Sequence, residues 1–261
     1  MGGFAYAGSL VGGAPVKRRF LTGETMYVGQ LVKAATTASI GGHVAVADIA
    51  TDVREDTSNI IGICTGIVDG SSTYVTPVPG TAAYGQRTTY STTQSTIKSY
   101  GPSEVEVTLI IPGVTLVRAP IYNTAWGTAL TVLTETTGNA GGITITDASG
   151  TNDIADDLGT IYCRSGANRG LYRVITDITT VVTTVTVPFP NAIAAGDTFV
   201  QASCVLGYGG MDLTTAFDAI DGNNVMDDYY SVYYHDINLE ESGKEFAIFS
   251  LWGGMVPEAA S

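Results

Sequence analysis

The chain of 261 residues is poor in the side chains that most often carry enzyme chemistry. It has two histidines and three cysteines, and charged residues make up only 14% of the sequence. His43 and His235 form no HxH or HExxH arrangement, no serine stands in a GxSxG elbow, and the cysteines show no CxxC spacing. We therefore expect a protein that binds without catalysing a reaction, and no cofactor.

Long apolar runs and an excess of basic residues are also missing. No apolar stretch approaches the roughly 18 residues that a membrane-spanning helix needs, and the first residues lack the pattern of a signal peptide. The formal net charge is −13, from 12 Lys and Arg against 25 Asp and Glu. Such a chain repels nucleic acid and anionic membranes, so we expect direct contact with neither.

The negative charge is concentrated in the second half of the chain. Residues 1–120 contain eight basic and eight acidic side chains, whereas residues 121–261 contain four basic and seventeen acidic ones. The first half is therefore neutral, and the second half carries the whole net charge. This asymmetry indicates that the two halves face different surroundings.

The residues that are abundant favour β structure. The chain has 36 threonines, 14 tyrosines, 32 glycines and 9 prolines, which suit pleated strands separated by turns. We predict an all-β protein of two small β-barrel or β-sandwich units with an extended N-terminal arm and at most one short helix. The expected division is a flexible arm over 1–15, a first unit over 16–121 and a second, acidic unit over 122–261.

Alternation and turn residues place the strands. In the first unit we predict strands near 16–21, 26–33, 43–48, 60–68, 73–78, 104–111 and 114–121. In the second unit we predict them near 160–163, 170–176, 181–187 and 198–202. Hairpins are expected to join 104–111 to 114–121, and 129–134 to 143–146. The alternating tail over 229–252 predicts strands covered on both faces, and a short helix is expected over 211–221.

One acidic turn is the best candidate for a metal site. Asp218, Asp221 and Asp227 surround Gly222, and carboxylate oxygens around a glycine turn suit a hard cation such as Ca²⁺. The order departs from that of an EF-hand loop, so a solvated acidic turn is the alternative interpretation. Structural calcium is the one metal that the sequence suggests.

The cysteines and the paired carboxylates each have an ordinary structural explanation. Cys64, Cys163 and Cys204 are expected as buried thiols, although a Cys163–Cys204 disulfide is possible because both lie in one predicted β unit. Glu104 with Glu106, and Glu240 with Glu241, are pairs of the kind that glycosidases use. Acids that alternate or adjoin in this way usually face solvent.

Two clusters of basic residues are candidate contact surfaces. Lys17, Arg18 and Arg19 begin the first unit and could dock on an acidic partner. Arg164, Arg169 and Arg173 form a basic island in the acidic half, where they either neutralise nearby carboxylates or contact another subunit.

Two stretches resemble a known class of proteins. The sequences PVKRRFLTGETMYVGQLVKA (15–34) and VAVADIATDVREDTSNIIGICTGIVDG (44–70), with the small-residue N-terminal arm, resemble head decoration, or cement, proteins of tailed bacteriophages. The resemblance covers roughly residues 14–80. The segments SGANRGLYRVIT (165–176) and TVTVPFPNAIAAGDTFV (184–200) look like β-rich modules of phage structural proteins generally, including tail components.

The resemblance implies a structural function in a virion. The chain would bind the lattice of the major capsid protein on the outer surface of a phage head, as a homo-oligomer and preferably a trimer, after assembly in the host cytoplasm. A tail or adaptor protein and a host-glycan-binding module are the alternatives. The expected contact residues are Phe4, Tyr6, Lys17, Arg18, Arg19, Arg54 and Arg87, with Arg169 and Arg173 for subunit pairing.

Overall fold

A computed structural model describes most of the chain as strands and turns. The described residues are 3–22, 28–34, 44–47, 59–67, 73–75, 87–89, 103–123, 128–148, 159–209, 211, 219–222 and 230–256. Within these ranges the backbone forms no helix, and the predicted all-β fold is confirmed.

The strands are numbered in chain order. The first nine are β1 (Ala5–Ser9), β2 (Lys17–Thr22), β3 (Leu31–Ala34), β4 (Val44–Val46), β5 (Ile60–Ile67), β6 (Thr73–Val75), β7 (Arg87–Thr89), β8 (Ser103–Leu109) and β9 (Thr115–Tyr122). The others are β10 (Val132–Thr134), β11 (Thr144–Thr146), β12 (Gly159–Cys163), β13 (Tyr172–Ile178), β14 (Val182–Val185), β15 (Thr198–Ala202), β16 (Gly207–Gly209), β17 (Ile220–Asp221), β18 (Tyr230–Asn238) and β19 (Phe246–Val256).

A central sheet combines strands from both ends of the chain. Its order is β1-β9-β19-β18-β16, and β17 pairs with β9 in parallel. The antiparallel pair of β9 and β19 places Phe249 opposite Val117 and Phe246 opposite Pro120. The sheet thus joins strands from both sides of the boundary expected between residues 121 and 122.

The N-terminal segment belongs to this sheet, which corrects the expectation of a flexible arm for residues 4–9. β1 pairs with β9, and Ala5 lies opposite Arg118. Phe4 is only 3% exposed, its N–H donates to the Gly29 carbonyl, and its ring meets that of Phe249 edge-on at 6.0 Å. The segment is ordered because the edge of β9 satisfies its backbone groups and the core takes up its aromatic ring.

A five-stranded sheet contains the first stretch that carries the resemblance. Its order is β2-β8-β5-β3-β4. In β5, Ile63 and Cys64 belong to different core clusters and both are fully buried, so this strand is covered on two sides. Gly62 is required in β5, because a Cβ there would come within 2.4 Å of the Thr108 carbonyl oxygen and of Val107 Cγ1.

The predicted hairpin over 104–121 is wrong. Its turn exists, with the Val114 N–H donating to the Ile111 carbonyl, but β8 lies in the five-stranded sheet and β9 in the central one. Gly113 donates its N–H to the Leu251 carbonyl, so the end of the turn is attached to β19. The turn therefore transfers the chain from one sheet to another.

The described residues between 132 and 202 form a nearly closed barrel. The strand order is β10-β15-β12-β13-β14-β11, and Ile145, Ile161, Ile175 and Phe199 are among the side chains that fill its interior. The hairpin expected between 129–134 and 143–146 is wrong, because β10 and β11 are the two end strands of this sheet and do not pair. They are brought together where the Thr136 N–H donates to the Thr146 carbonyl at 2.7 Å and the Thr134 N–H donates to Asp147 Oδ2 at 2.9 Å.

A buried carboxylate holds the open seam of the barrel. Glu135 is 1% exposed and follows β10. Its Oε1 accepts hydrogen bonds from the N–H groups of Thr137 and Gly138 at 3.0 and 2.8 Å, and Oε2 accepts one from the Thr146 N–H at 2.7 Å. These charge-assisted bonds compensate for the desolvation of the buried carboxylate, and they link the turn after β10 to the end of β11.

The three cysteines are free and buried, so the possible Cys163–Cys204 disulfide is not formed. Cys163 lies in the barrel core and Cys204 in a core cluster that all three main sheets share. Burial raises the pKa of the Cys163 thiol to about 11 and that of Cys204 to about 12. Of the helix expected over 211–221, residues 212–218 lie outside the described residues, whereas Ile220–Asp221 form a strand.

Candidate functional site

The predicted basic cluster lies on a strand at the edge of a sheet. Lys17, Arg18 and Arg19 are exposed on β2, the first strand of the five-stranded sheet, whose described partner is β8. Antiparallel register places Arg19 opposite Glu106. Three consecutive exposed cations give this end strand a positive charge, which suits an acidic partner.

Part of this charge is already paired within the chain. Lys17 Nζ lies 2.7 Å from Glu106 Oε1, with side-chain exposures of 50% and 32%. The hydrogen bond from Lys17 lowers the pKa of Glu106 despite some desolvation, and the nearby Arg19 charge acts in the same direction. Among the described residues the Arg18 guanidinium donates only to the Lys17 carbonyl, and the side chain is exposed.

The other residues expected in capsid contacts have varied positions. Phe4 is covered by the chain's own core and so is not available to a partner. Tyr6 is half-buried, and its hydroxyl donates to the Gly13 carbonyl at 3.1 Å. Arg54 lies outside the described residues, and of Arg87 the structure gives only its place in β7.

Most of the predicted calcium site lies outside the described residues. Asp218 and Asp227 lie outside the described residues, whereas Asp221 is buried in β17 beside β9. In the described part of the chain, no three His, Cys, Asp or Glu side chains are grouped as metal ligands would be. The calcium site stays a prediction.

An ion pair joins the barrel to the central sheet. Arg164 follows β12, and its Nη2 lies 2.5 Å from Oε1 of Glu245, which precedes β19. The Arg164 Nε also donates to the Leu239 carbonyl at 2.9 Å. The two side chains are only 11% and 0% exposed, and Glu245 Oε2 has no hydrogen-bond partner among the described residues. The first basic residue of the predicted island thus neutralises a carboxylate inside the protein.

The other two arginines of that island are separated in space. Arg173 lies on the barrel with its guanidinium 4.9 Å from the centre of the Phe189 ring, and its Nε donates to the Pro188 carbonyl. Arg169 is exposed and faces the central sheet across a groove. Their expected role in subunit pairing stays a prediction.

We call this cavity the junction groove, because it lies where the barrel meets the central sheet. Its volume is about 530 Å³. Its lining is mostly charged and polar: Arg118, Asn238, Glu240, Glu241, Lys244 and Phe246 from the sheet and its β18–β19 turn, and Arg169 from the barrel. Three cations and two carboxylates give the groove a positive balance in a chain whose net charge is −13.

The cations of the junction groove differ in their partners. Lys244 pairs with Glu241 at 2.5 Å. The Arg118 guanidinium lies 3.9 Å from the centre of the Phe246 ring, a cation–π contact that orients it. Within the described part of the chain, neither Arg118 nor Arg169 has a carboxylate within ion-pair distance. Their donors are therefore available to an external anion.

An aromatic surface lies on the same outer face of the central sheet. It consists of Tyr208, Tyr233, His235 and Trp252, with Tyr208 48% and Trp252 41% exposed. The Tyr208 ring makes edge-on contacts with Tyr233 at 4.8 Å and with Trp252 at 5.1 Å. Exposed aromatic groups that hold one another in place are typical of binding surfaces.

The histidine of this surface is hydrogen-bonded to a buried serine. His235 Nε2 lies 3.0 Å from Ser250 Oγ, and burial lowers the pKa of His235. Ser250 is only 2% exposed, so a substrate would have to displace its neighbours to reach the hydroxyl. The pair fixes the imidazole ring on the sheet.

Sequence reasoning singled out Arg169, Glu240 and Glu241 but did not predict that they lie together, and it missed Arg118 and Phe246. The alternation of Phe246, Ile248 and Ser250 predicts that they share a face, and the register adds Arg118 opposite Ile248. Only the pairing of β9 with β19, more than a hundred residues later, brings Arg118 to Phe246. No local pattern contains that information.

In comparisons with protein-family models, with curated proteins and with solved structures, no match to this chain was found. The residues that the structure describes include no helix long and apolar enough to cross a membrane.

Proposed function

We propose that this chain is a non-enzymatic structural protein of a tailed-phage virion, a decoration protein that binds the outer shell of the head. The observation that carries the proposal is the exposed basic edge strand β2 within the stretch that resembles decoration proteins. The proposed partner is an acidic surface of the major capsid protein lattice.

The physical argument rests on how a sheet edge can attach to a shell. β2 is an end strand of its sheet, and Arg18 and Arg19 are exposed along it, so their charge can meet an acidic surface. Three sheets share one core cluster, so a load applied at the edge is distributed through packed side chains. Binding around a local symmetry axis, as a trimer, would repeat this contact and raise avidity.

Binding to phage heads that lack the chain tests this proposal. The substitutions Arg18→Glu and Arg19→Glu together should weaken co-sedimentation by about tenfold or more, since each reversed charge removes a favourable contact and adds a repulsive one. Wild-type binding should also weaken as salt is added.

The matched control carries Arg173→Glu and Lys244→Glu, which change the net charge equally but lie away from β2. Equal losses in the two double variants would contradict attachment through this strand. Cryo-electron microscopy of the complete particle gives the location: density on the head shell supports the proposal, and density only in the tail would replace it with a tail or adaptor function.

A further inference from the structure

We propose that the junction groove binds a sugar that carries a carboxylate, such as a uronic or sialic acid residue. Arg118 and Arg169 would hold the carboxylate, and Asn238 with the two glutamates would accept or share hydrogen bonds from the sugar hydroxyls. This site is separate from β2, so the proposal does not depend on where the chain attaches.

The two arginines are positioned to bind a planar anion. Arg118 is oriented by the Phe246 ring at 3.9 Å, and Arg169 approaches from the barrel on the other side of the groove. A guanidinium presents parallel N–H donors that match the two oxygens of a carboxylate. Because neither arginine has a carboxylate partner within the described residues, binding need not break an existing ion pair.

The rest of the lining suits hydroxyl groups. Asn238 offers an amide, although its Oδ1 already accepts the Glu240 N–H at 3.2 Å. The Glu240 and Glu241 carboxylates accept hydrogen bonds only, which complements the O–H donors of a sugar. A volume of about 530 Å³ lies within the range of small-molecule sites.

The same carboxylates argue against an acidic peptide. Glu240 and Glu241 would repel a segment with several negative charges, whereas a single sugar carboxylate can sit between the arginines and turn its hydroxyls towards the glutamates. The ion pair of Arg164 with Glu245, and the hydrogen bond from Arg164 to the Leu239 carbonyl, also fix the turn that carries these glutamates against the barrel. The backbone of this turn therefore need not change conformation when the sugar binds.

Titration of the full-length chain with defined sugars tests the proposal. Glucuronate, galacturonate and N-acetylneuraminate are compared with glucose by NMR or calorimetry, and oligosaccharides that contain them are compared with neutral ones. We expect at least one acidic sugar to bind, and glucose to bind at least tenfold more weakly. Arg118→Gln and Arg169→Gln should each weaken binding by about 10- to 100-fold, the loss expected for a charged hydrogen bond.

The matched control is Arg173→Gln, which removes the same charge from the barrel outside the groove and should change affinity less than about twofold. Thermal unfolding of each variant distinguishes lost binding from lost structure, since Arg118 and Arg169 are exposed. Binding of poly-glutamate in preference to every acidic sugar would overturn the proposal. So would equal losses in all three variants, or no acidic sugar bound at millimolar concentration.

Discussion

The barrel and the five-stranded sheet use the same kind of strand but differ in what their end strands present. In the barrel, the end strands β10 and β11 approach each other, and Glu135 accepts three backbone hydrogen bonds, of which the one from Thr146 crosses the seam. In the five-stranded sheet, the end strands β2 and β4 also approach each other, and β2 exposes Arg18 and Arg19. A buried carboxylate at a seam stabilises the unit itself, whereas exposed cations on an end strand leave charge for a partner.

The two regions are filled in a similar way. The barrel has an interior cluster of its own, which includes Ile161 and Phe199. The five-stranded sheet also has its own cluster, which includes Cys64 and Val105. Both regions contribute further side chains to the cluster that they share with the central sheet, so each has an interior and all three are joined.

Breaking the ion pair between barrel and sheet should have the largest effect on stability. Arg164→Met leaves Glu245 charged and buried without its partner, which should cost about 3–5 kcal/mol in the free energy of unfolding. The double variant Arg164→Met and Glu245→Met should recover most of that loss. Urea unfolding measures both, and a cost no larger than that of Arg173→Met would show that the pair does not join the regions.

Opening the seam of the barrel should have a smaller effect. Glu135→Gln keeps the shape but turns an NH₂ group towards a backbone N–H donor, so we expect a loss of about 2–3 kcal/mol in the free energy of unfolding. The control is Glu241→Gln, whose exposed ion pair with Lys244 should contribute less than about 1 kcal/mol. If both variants unfold at the same urea concentration, the seam is held by other contacts.

Removing the ion pair between β2 and β8 should have the smallest effect on stability. Lys17→Met removes the hydrogen bond that chiefly lowers the pKa of Glu106, so that pKa should rise towards 4.5, its ordinary value. The stabilisation from this pair is present above the pKa of the unfolded chain and is lost as the pH falls through the lower, folded pKa. Carboxyl chemical shifts measured against pH report the change, and an unchanged Glu106 titration would contradict the pairing.

The positions of most strands could be predicted from the sequence because alternation and turn residues are local signals. β5, β12 and β15 match their predicted ranges to within one or two residues. Both predicted hairpins failed for a shared reason: a turn indicates where a strand ends, but the choice of partner depends on burial across the whole fold. The buried position of Phe4 was not predicted either, because the glycine-rich sequence around it is typical of a flexible segment.

The candidate sites were harder to predict, because distant residues build them. Glu135 stands in a polar threonine-rich stretch that looks exposed, yet the barrel buries it. Arg118 lines the junction groove because β9 pairs with β19. Arg169 lines it because the barrel packs beside the β18–β19 turn. The basic strand β2 was found because its three cations are adjacent in sequence and share one edge.

The strand order of the central sheet has a consequence for how the protein is made. β9 has β1 before it in the chain, but its other neighbour, β19, is synthesised more than a hundred residues later. At about 5–20 residues per second, one side of β9 waits on the order of ten seconds for its partner, whereas the barrel can form from contiguous chain in the meantime. During that interval the nascent chain exposes the unpaired edge of β9. Aggregation through this edge is therefore the main risk before β19 leaves the ribosome, and a chaperone that covers β9 would reduce it.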